Sequence, residues 1–334
     1  MASSSSPFDA YRIPTKFLVD SGTVVHTEQD LDVIPTNKQR AGWVEMGWKE
    51  HNPLGSGAFG SVRLEKNELT GKLRAVKLIT KDVLLECGID YKHELGIFIA
   101  VKDCEKFVSL IGWFEDQYHI YIAMEYVEHG DLEMYLAGNA AKARAEVGEI
   151  TRQILKGVTV LHNKQICHRD LKPMNILIAS LVPIRIKIAD FGLSTQDLSS
   201  HIPTGCGTRR YQAPEQLLFL QTESMQQPRS GYYPKAVDVW AIGIIVYIIT
   251  TSKHPFFLPK AGEQTSKMNG SWGITTVNLT TLRNYVNGVP LATGDLRANG
   301  LSDEGIAFVK RLLHVDPKDR ATASDALHDA WVIE

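Results

Sequence analysis

Between Cys167 and Asn175 the chain reads Cys-His-Arg-Asp-Leu-Lys-Pro-Met-Asn, which puts a carboxylate, an ammonium and a carboxamide close together at Asp170, Lys172 and Asn175. Phosphoryl transfer to a hydroxyl needs these groups. A carboxylate orients the acceptor hydroxyl and takes its proton, the role expected of Asp170. An ammonium two residues on neutralises charge on the migrating group, and the amide oxygen of Asn175 can ligate magnesium. Further along, Asp190-Phe-Gly192 offers a second oxygen ligand, Asp190, for a magnesium ion that bridges the β- and γ-phosphates. No His/Cys cluster with zinc-ligand spacing competes for a metal.

A phosphate cradle stands upstream. Leu54-Gly-Ser-Gly-Ala-Phe-Gly-Ser-Val62 places Gly55, Gly57 and Gly60 where a tight turn brings backbone N–H groups onto phosphate oxygens without Cβ clashes. Alone, the triplet leaves nucleotide binding and an incidental turn both open. A dinucleotide-binding fold would open a helix straight after the last glycine, whereas Ser61-Val-Arg-Leu-Glu reads as a strand. Arg74-Ala-Val-Lys77 then ends an apolar strand on a lysine fifteen residues after Val62. A lone strand lysine is usually a solvated edge charge; after a glycine loop it reaches the α- and β-phosphates. It needs an acidic partner, and Glu94 lies seventeen residues on in a helical pattern.

The elements that must position these groups follow from periodicity. From Trp48 to about Ile79 the pattern is strand, glycine turn and two further strands, and Lys81–Lys102 reads as one helix. Strands follow around Val108–Glu115 and His119–Met124. Glu146–His162 carries apolar residues at Val147, Ile150, Ile154, Val158 and Leu161, a helical spacing. Ile184–Ile188 reads as a strand, and later helices are expected near Ala236–Thr250, Ser302–Leu313 and Ala323–Ala330. A strand-rich part thus joins a helix-rich part near Glu125–Gly130. Residues 1–7 are Ser-rich, and 8–47 hold short β-like pieces at Lys16-Phe-Leu-Val and Thr23-Val-Val-His, with no function legible in them.

Composition excludes several classes. The 334 residues are 44% hydrophobic and 22% charged with net charge −2, so no basic field implies a nucleic-acid or membrane partner. Four cysteines without a CxxC pair read as reduced thiols, which points to a cytoplasmic or nuclear protein. The start lacks the charged and apolar regions of a signal peptide, and Ala2 stands where myristoylation needs glycine. The apolar run Val239–Ile249 is too short to span a bilayer and reads as a buried helix.

In their order, these motifs and Ala213-Pro-Glu215 resemble the eukaryotic protein kinases over roughly residues 48–332. Lys172-Pro resembles the serine/threonine members, and Asp316-Pro-Lys-Asp-Arg-Ala with Trp331 the calcium/calmodulin-regulated and checkpoint group. The resemblance implies an α+β bilobal fold: N-terminal extension 1–47, an antiparallel-sheet N-lobe with one main helix at 48–127, and a mostly helical C-lobe at 128–332. It implies ATP and Mg2+ as cofactors and proteins with Ser/Thr acceptors as substrates. Val62, Ala75 and Leu177 would sandwich the adenine ring, Leu54 would belong to the same nucleotide site, Met124 would be the gatekeeper, and the backbones of Glu125 and Val127 would hold the adenine edge. Phe98, Leu110, His168 and Phe191 would stack as a spine anchored by Asp238, and Glu215 would pair with Arg320.

The resemblance also marks Leu193–Gln212 as an activation segment. Thr204 would be its regulatory phosphosite, received by Arg169 and written by the chain itself or by an upstream kinase. Ser199, Ser200 and Thr195 are rivals, while Thr208 would bond Asp170 and Lys172. The stretches 216–237 and 259–291 are longer than usual, and Asp131 and Met174 point opposite ways on preference for basic substrates. A pseudokinase has no need of Lys77, Asp170, Asn175 and Asp190 together. Small-molecule kinases generally lack a phosphorylatable segment ending in Ala-Pro-Glu.

Overall fold

The alternation around the glycine run becomes an antiparallel sheet. The computed structural model describes residues 7–18, 23–26, 43–45, 54–57, 60–87, 90–195, 208–218, 234–256, 267–268, 271–272 and 279–333. Contacts divide the chain into two units, Met1–Tyr126 and Val127–Glu334.

In the first unit, strands β1 (Thr15–Leu18), β2 (Thr23–His26), β3 (Trp43–Glu45), β4 (Gly55–Gly57), β5 (Gly60–Asn67) and β6 (Leu73–Thr80) precede helices α1 (Lys81–Cys87) and α2 (Tyr91–Val101). Strands β7 (Leu110–Glu115) and β8 (His119–Glu125) close the unit. The order is β1-β2-β3-β5-β6-β8-β7, with β4 paired to β5. The β-like pieces of the first 47 residues therefore extend this sheet: Val24 pairs with Trp43, and Trp43 with Asn67. Ile13 donates to the Trp113 carbonyl of β7 at 2.8 Å, and β1 begins at Thr15. Two residues span at most about 7 Å, so the start of β1 lies close to β7, the strand at the other end of the order.

One expectation fails here. Lys81–Lys102 is two helices, because Asp90 takes extended backbone (φ −95°, ψ 110°) and its carboxylate accepts from Lys92 N–H, capping α2. A side chain that satisfies the first orphan amides of a new helix ends the old one.

The second unit is mainly helical. It contains α3 (Leu132–Ala145), α4 (Val147–Asn163), the hairpin β9 (Ile176–Leu181) and β10 (Ile184–Ile188), and α5 (Pro214–Leu218). Then come α6 (Pro234–Thr251), the short pair β11 (Lys267–Met268) and β12 (Ser271–Trp272), α7 (Leu279–Val286), α8 (Gly294–Ala298) and α9 (Asp303–Leu312). The helix expected at Ala323–Ala330 is two short ones, α10 (Ala323–Leu327) and α11 (Ala330–Ile333), separated where His328 caps the first. The apolar face of α4 is buried as its spacing required. Helix α6 is longer than its apolar run and, among the described residues, is the one helix long and apolar enough to cross a membrane; 83% of it is buried inside the protein. That burial makes it a core helix, consistent with the sequence expectation.

Candidate active site

In the first unit, register places the candidate nucleotide residues. Gly55 pairs with Val62, Gly57 with Gly60, Val62 with Lys77, and Ala75 with Met124. Gly60 has no alternative: a Cβ there would stand 1.8 Å from the Leu78 carbonyl oxygen. Lys77 and Glu94 are both buried, and Lys77 Nζ lies 2.8 and 3.0 Å from the two carboxylate oxygens. An ammonium buried with its counter-charge is held at a fixed place in the sheet floor. Leu54 is exposed, Ala75 and Met124 are buried, and Phe98 is buried in α2. The Glu125 amide donates to the Ser109 carbonyl at 3.0 Å, so that N–H is already spent.

The strand also carries a charge cluster that sequence reading missed. Arg74 is fully buried and donates to Glu65 at 2.6 and 2.9 Å, with its guanidinium 4.0 Å over the Trp43 ring. Trp43 belongs to the N-terminal segment, so that segment covers a charge on the lysine's own strand.

In the second unit the chain after α4 folds tightly around Asp170. Lys172 Nζ reaches Asp170 Oδ2 at 2.6 Å and Thr208 Oγ1 at 3.0 Å, while Thr208 N–H donates to Asp170 Oδ1 at 2.9 Å. The Asn175 amide group donates to the Asp170 carbonyl at 2.8 Å, which turns its own oxygen the other way. Ala189 N–H donates to the Asn175 carbonyl at 2.9 Å, tying the loop to the residue before Asp190. Arg169 and Asp190 both have left-handed backbone, φ 67° and 64°. Such strain in non-glycine residues persists only where surrounding structure fixes it. His168 and Phe191 meet at ring centroids 5.8 Å apart, Leu177 bridges Asp131, and Val127 is half-buried.

For Arg169 the fixing structure is Asp238 on α6. Its Oδ2 accepts from His168 N–H and pairs with His162 Nε2, each at 2.9 Å, and its Oδ1 accepts from Arg169 N–H at 2.8 Å. Burial alone would raise this carboxyl, but the His162 hydrogen bond, the nearby His162 and His168, and the Arg169 amide outweigh it and hold it below the usual carboxylate range. His162, Cys167 and Asp238 lie close enough to hold a metal ion, although the sequence spacing showed no such cluster. Both Asp238 oxygens serve these donors, and burial followed by the Asp238 charge pushes the Cys167 thiol up, so the trio is a buttress. Gln153 was also missed. It grips β10 from α4, donating to the Ile184 carbonyl at 2.9 Å and accepting from Ile186 N–H at 3.0 Å. Its signal was a polar residue among the apolar positions of that helix.

Arg320 donates to both Glu215 oxygens, at 2.7 and 3.0 Å. Thr195 is buried and pairs with Cys167 through backbone hydrogen bonds at 3.0 Å. Asp131 caps α3 by accepting from Met134 N–H at 2.8 Å, and burial raises its carboxyl despite amide bonds from Met134 and Glu133. Thr204, Ser199 and Ser200 lie outside the described residues, as do parts of 216–237 and 259–291.

The protein kinase domain family matches residues 48–332. The serine/threonine-protein kinase RAD53 of Saccharomyces cerevisiae is 33% identical over 84% of this chain and 32% of its own length. The serine/threonine-protein kinase cds1 of Schizosaccharomyces pombe is 31% identical over 83% of this chain and 56% of its own. The calcium/calmodulin-dependent protein kinase type 1 of Macrobrachium nipponense is 30% identical over 84% and 73%. The match thus spans about a third to a half of the first two relatives. A crystal structure of Rad53 residues 1–466 with AMP-PNP superposes with TM-score 0.63 at 30% identity, covering 87% of this chain and 65% of that one.

Proposed function

This chain belongs to the protein kinase domain family, and on that footing we propose that it transfers the γ-phosphoryl group of ATP to serine and threonine hydroxyls of protein substrates. The observation that carries this is the closed set of hydrogen bonds joining Asp170, Lys172, Asn175 and Thr208. Asp170 orients the acceptor hydroxyl and receives its proton, and Lys172, already on its carboxylate, faces charge developing on the migrating group. Lys77, fixed by Glu94, meets the α- and β-phosphates, and the backbone around Gly55, Gly57 and Gly60 closes over them. AMP-PNP in the Rad53 crystal structure supports ATP as the nucleotide.

The donor set fits magnesium: an amide oxygen on Asn175 turned away from Asp170 and a carboxylate on Asp190 are hard oxygen ligands. Bound there, magnesium would neutralise phosphate charge. Asp190 Oδ1 also accepts from Gly192 N–H at 3.3 Å, which sets its carboxylate plane.

Regulation follows from Arg169. Its buried Nε and Nη2 find no hydrogen-bond partner among the described residues, an arrangement suited to receiving an anion. A phosphate on Thr204, added by the chain itself or by an upstream kinase, supplies one. Buried Thr195 is a poorer acceptor. Protein substrates, a cytoplasmic or nuclear setting, and no nucleic-acid or membrane partner complete the reading.

Intact-mass and peptide mapping with ATP and magnesium tests it, beside Asp190→Asn. Phosphate increments on the parent alone, Thr204 among them, support transfer. Equal increments in the variant would remove the magnesium assignment. No increment in the parent, even after treatment with an activating kinase, would retire the activity.

A further inference from the structure

We propose that Phe8–Ile13 is a positioning element for the Lys77–Glu94 pair, with Phe8 and Ile13 as its two anchors. This rests on the kinase reading, since that pair matters only if a nucleotide is held. The segment touches both elements that bear the pair. On the helix side, the Phe8 ring lies 3.7 Å from where a Gly96 Cβ would stand. Gly96 follows Glu94 by two residues, about 200° around the helix, so Phe8 bears on the side of α2 opposite the carboxylate. Tyr91, in the first turn of α2, meets the Trp113 ring at 5.6 Å, and Trp113 Nε1 donates to the Phe8 carbonyl at 2.9 Å. Trp113 thus links the segment to the start of the helix, while Phe8 itself meets the middle.

On the sheet side, Ile13 is buried in a cluster with Val76, Phe114, Tyr121 and Ala123. Val76 neighbours Lys77 in β6 and pairs with Ala123 of β8. The close approach is built into Gly112, where a Cβ would stand 2.6 Å from Ile13 and 2.8 Å from the Tyr11 carbonyl. Arg12 lies 2.8 Å from Glu115 and 5.3 Å over the Trp113 ring. The segment also occupies the edge of β7, pairing where a strand edge would otherwise stand open. Anchored to the lysine's strand through Ile13 and to the glutamate's helix through Phe8, it resists movement of α2 away from the sheet. Glu94 then stays within reach of Lys77 before any nucleotide arrives.

The test uses the full chain with Phe8→Ala and Phe8→Leu. Hydrogen exchange is read in α2 and, as an internal control, in α4 of the second unit. Phe8 is half-buried, so Phe8→Ala should speed α2 exchange about tenfold, equivalent to roughly 1.4 kcal/mol of lost packing, and leave α4 unchanged. Peptide phosphorylation should lose about fivefold in kcat with KM for the acceptor peptide unchanged, because acceptor contacts belong to the Asp170 unit. Phe8→Leu should restore most of both readouts. Unchanged exchange in α2, equal loosening of α4, or looser α2 with unchanged kcat each overturns the proposal. If α2 alone loosens but the parent transfers no phosphate under any activation, the brace stands as a packing device and the kinase reading fails.

Discussion

His254, three residues past the end of α6, should make the second unit sensitive to acid. Its Nε2 lies 2.7 Å from the Arg210 carbonyl, and Phe256 N–H donates to its Nδ1 at 3.1 Å. This fixes the neutral tautomer with the proton on Nε2; a second proton on Nδ1 would face the Phe256 N–H. Burial, foremost, holds the imidazole down to about 3 from an ordinary value near 6.5, with the nearby Arg210 charge acting the same way. As the pH falls through 6.5, the unfolded chain takes up a proton that the folded one refuses until about 3. Stability therefore drops across that window, by about 1.4 kcal/mol per unit once well below 6.5, or about 2 kcal/mol between pH 7 and pH 5. His254→Gln keeps a donor and an acceptor but does not titrate. It should cost about 1–2 kcal/mol at pH 7 and draw level with the parent by pH 5. Urea unfolding read by tryptophan fluorescence suits the test, since Trp240 stacks on Phe256 at 5.4 Å. With a slope of about 2 kcal/mol per molar, the convergence is about 1 M in midpoint. Acid loss from Asp238, whose carboxyl is held low, is common to both proteins and cancels in the difference. Parent and variant falling in parallel from pH 7 to pH 5 would refute the reasoning.

Gly60→Ala should force β4 and β5 away from the Leu78 carbonyl and raise KM for ATP at least about tenfold with little change in acceptor KM; unchanged nucleotide kinetics would refute the cradle. Arg320→Lys should destabilise the second unit by about 3–5 kcal/mol. One ammonium cannot replace a fork that serves both Glu215 oxygens and the carbonyls of Ala236, His314 and Val315. A urea midpoint within about 0.3 M of the parent would show that lysine suffices.

The catalytic loop was legible because its chemistry sets local spacing. Asp170, Lys172 and Asn175 must share one short turn, and a reader of the sequence meets them together. The Lys77–Glu94 pair was legible for a weaker reason: an ammonium on an apolar strand needs a partner, and the next helix offered a carboxylate at a plausible depth. What the sequence hid is long-range. Asp238 stands 70 residues from the His168 amide it holds, and nothing beside it in sequence says which loop it will brace. The break between α1 and α2 was partly visible, since Asp90 is a strong capping residue, but apolar periodicity on both sides masked it.

The N-terminal segment gives the sharpest case of this division. Its strands are only three or four residues long, too short for a two-residue period to be distinctive, and their partners lie far along the chain, with Ile13 reaching Trp113 and Trp43 reaching Asn67 and Arg74. A short apolar piece carries no address for its partner. The addresses sit instead in the receiving surface: a glycine at 112 that leaves room for Ile13, and a buried arginine that needs an aromatic cover. Gly112 falls inside a strand where glycine is locally unfavourable, and Arg74 sits where an apolar residue is the ordinary choice. A residue that weakens its own helix or strand must be satisfied elsewhere, so these departures mark where a distant segment docks. By that logic, sequence patterns identify the chemistry, while breaches of local propensity identify the surfaces that hold the chemistry in place.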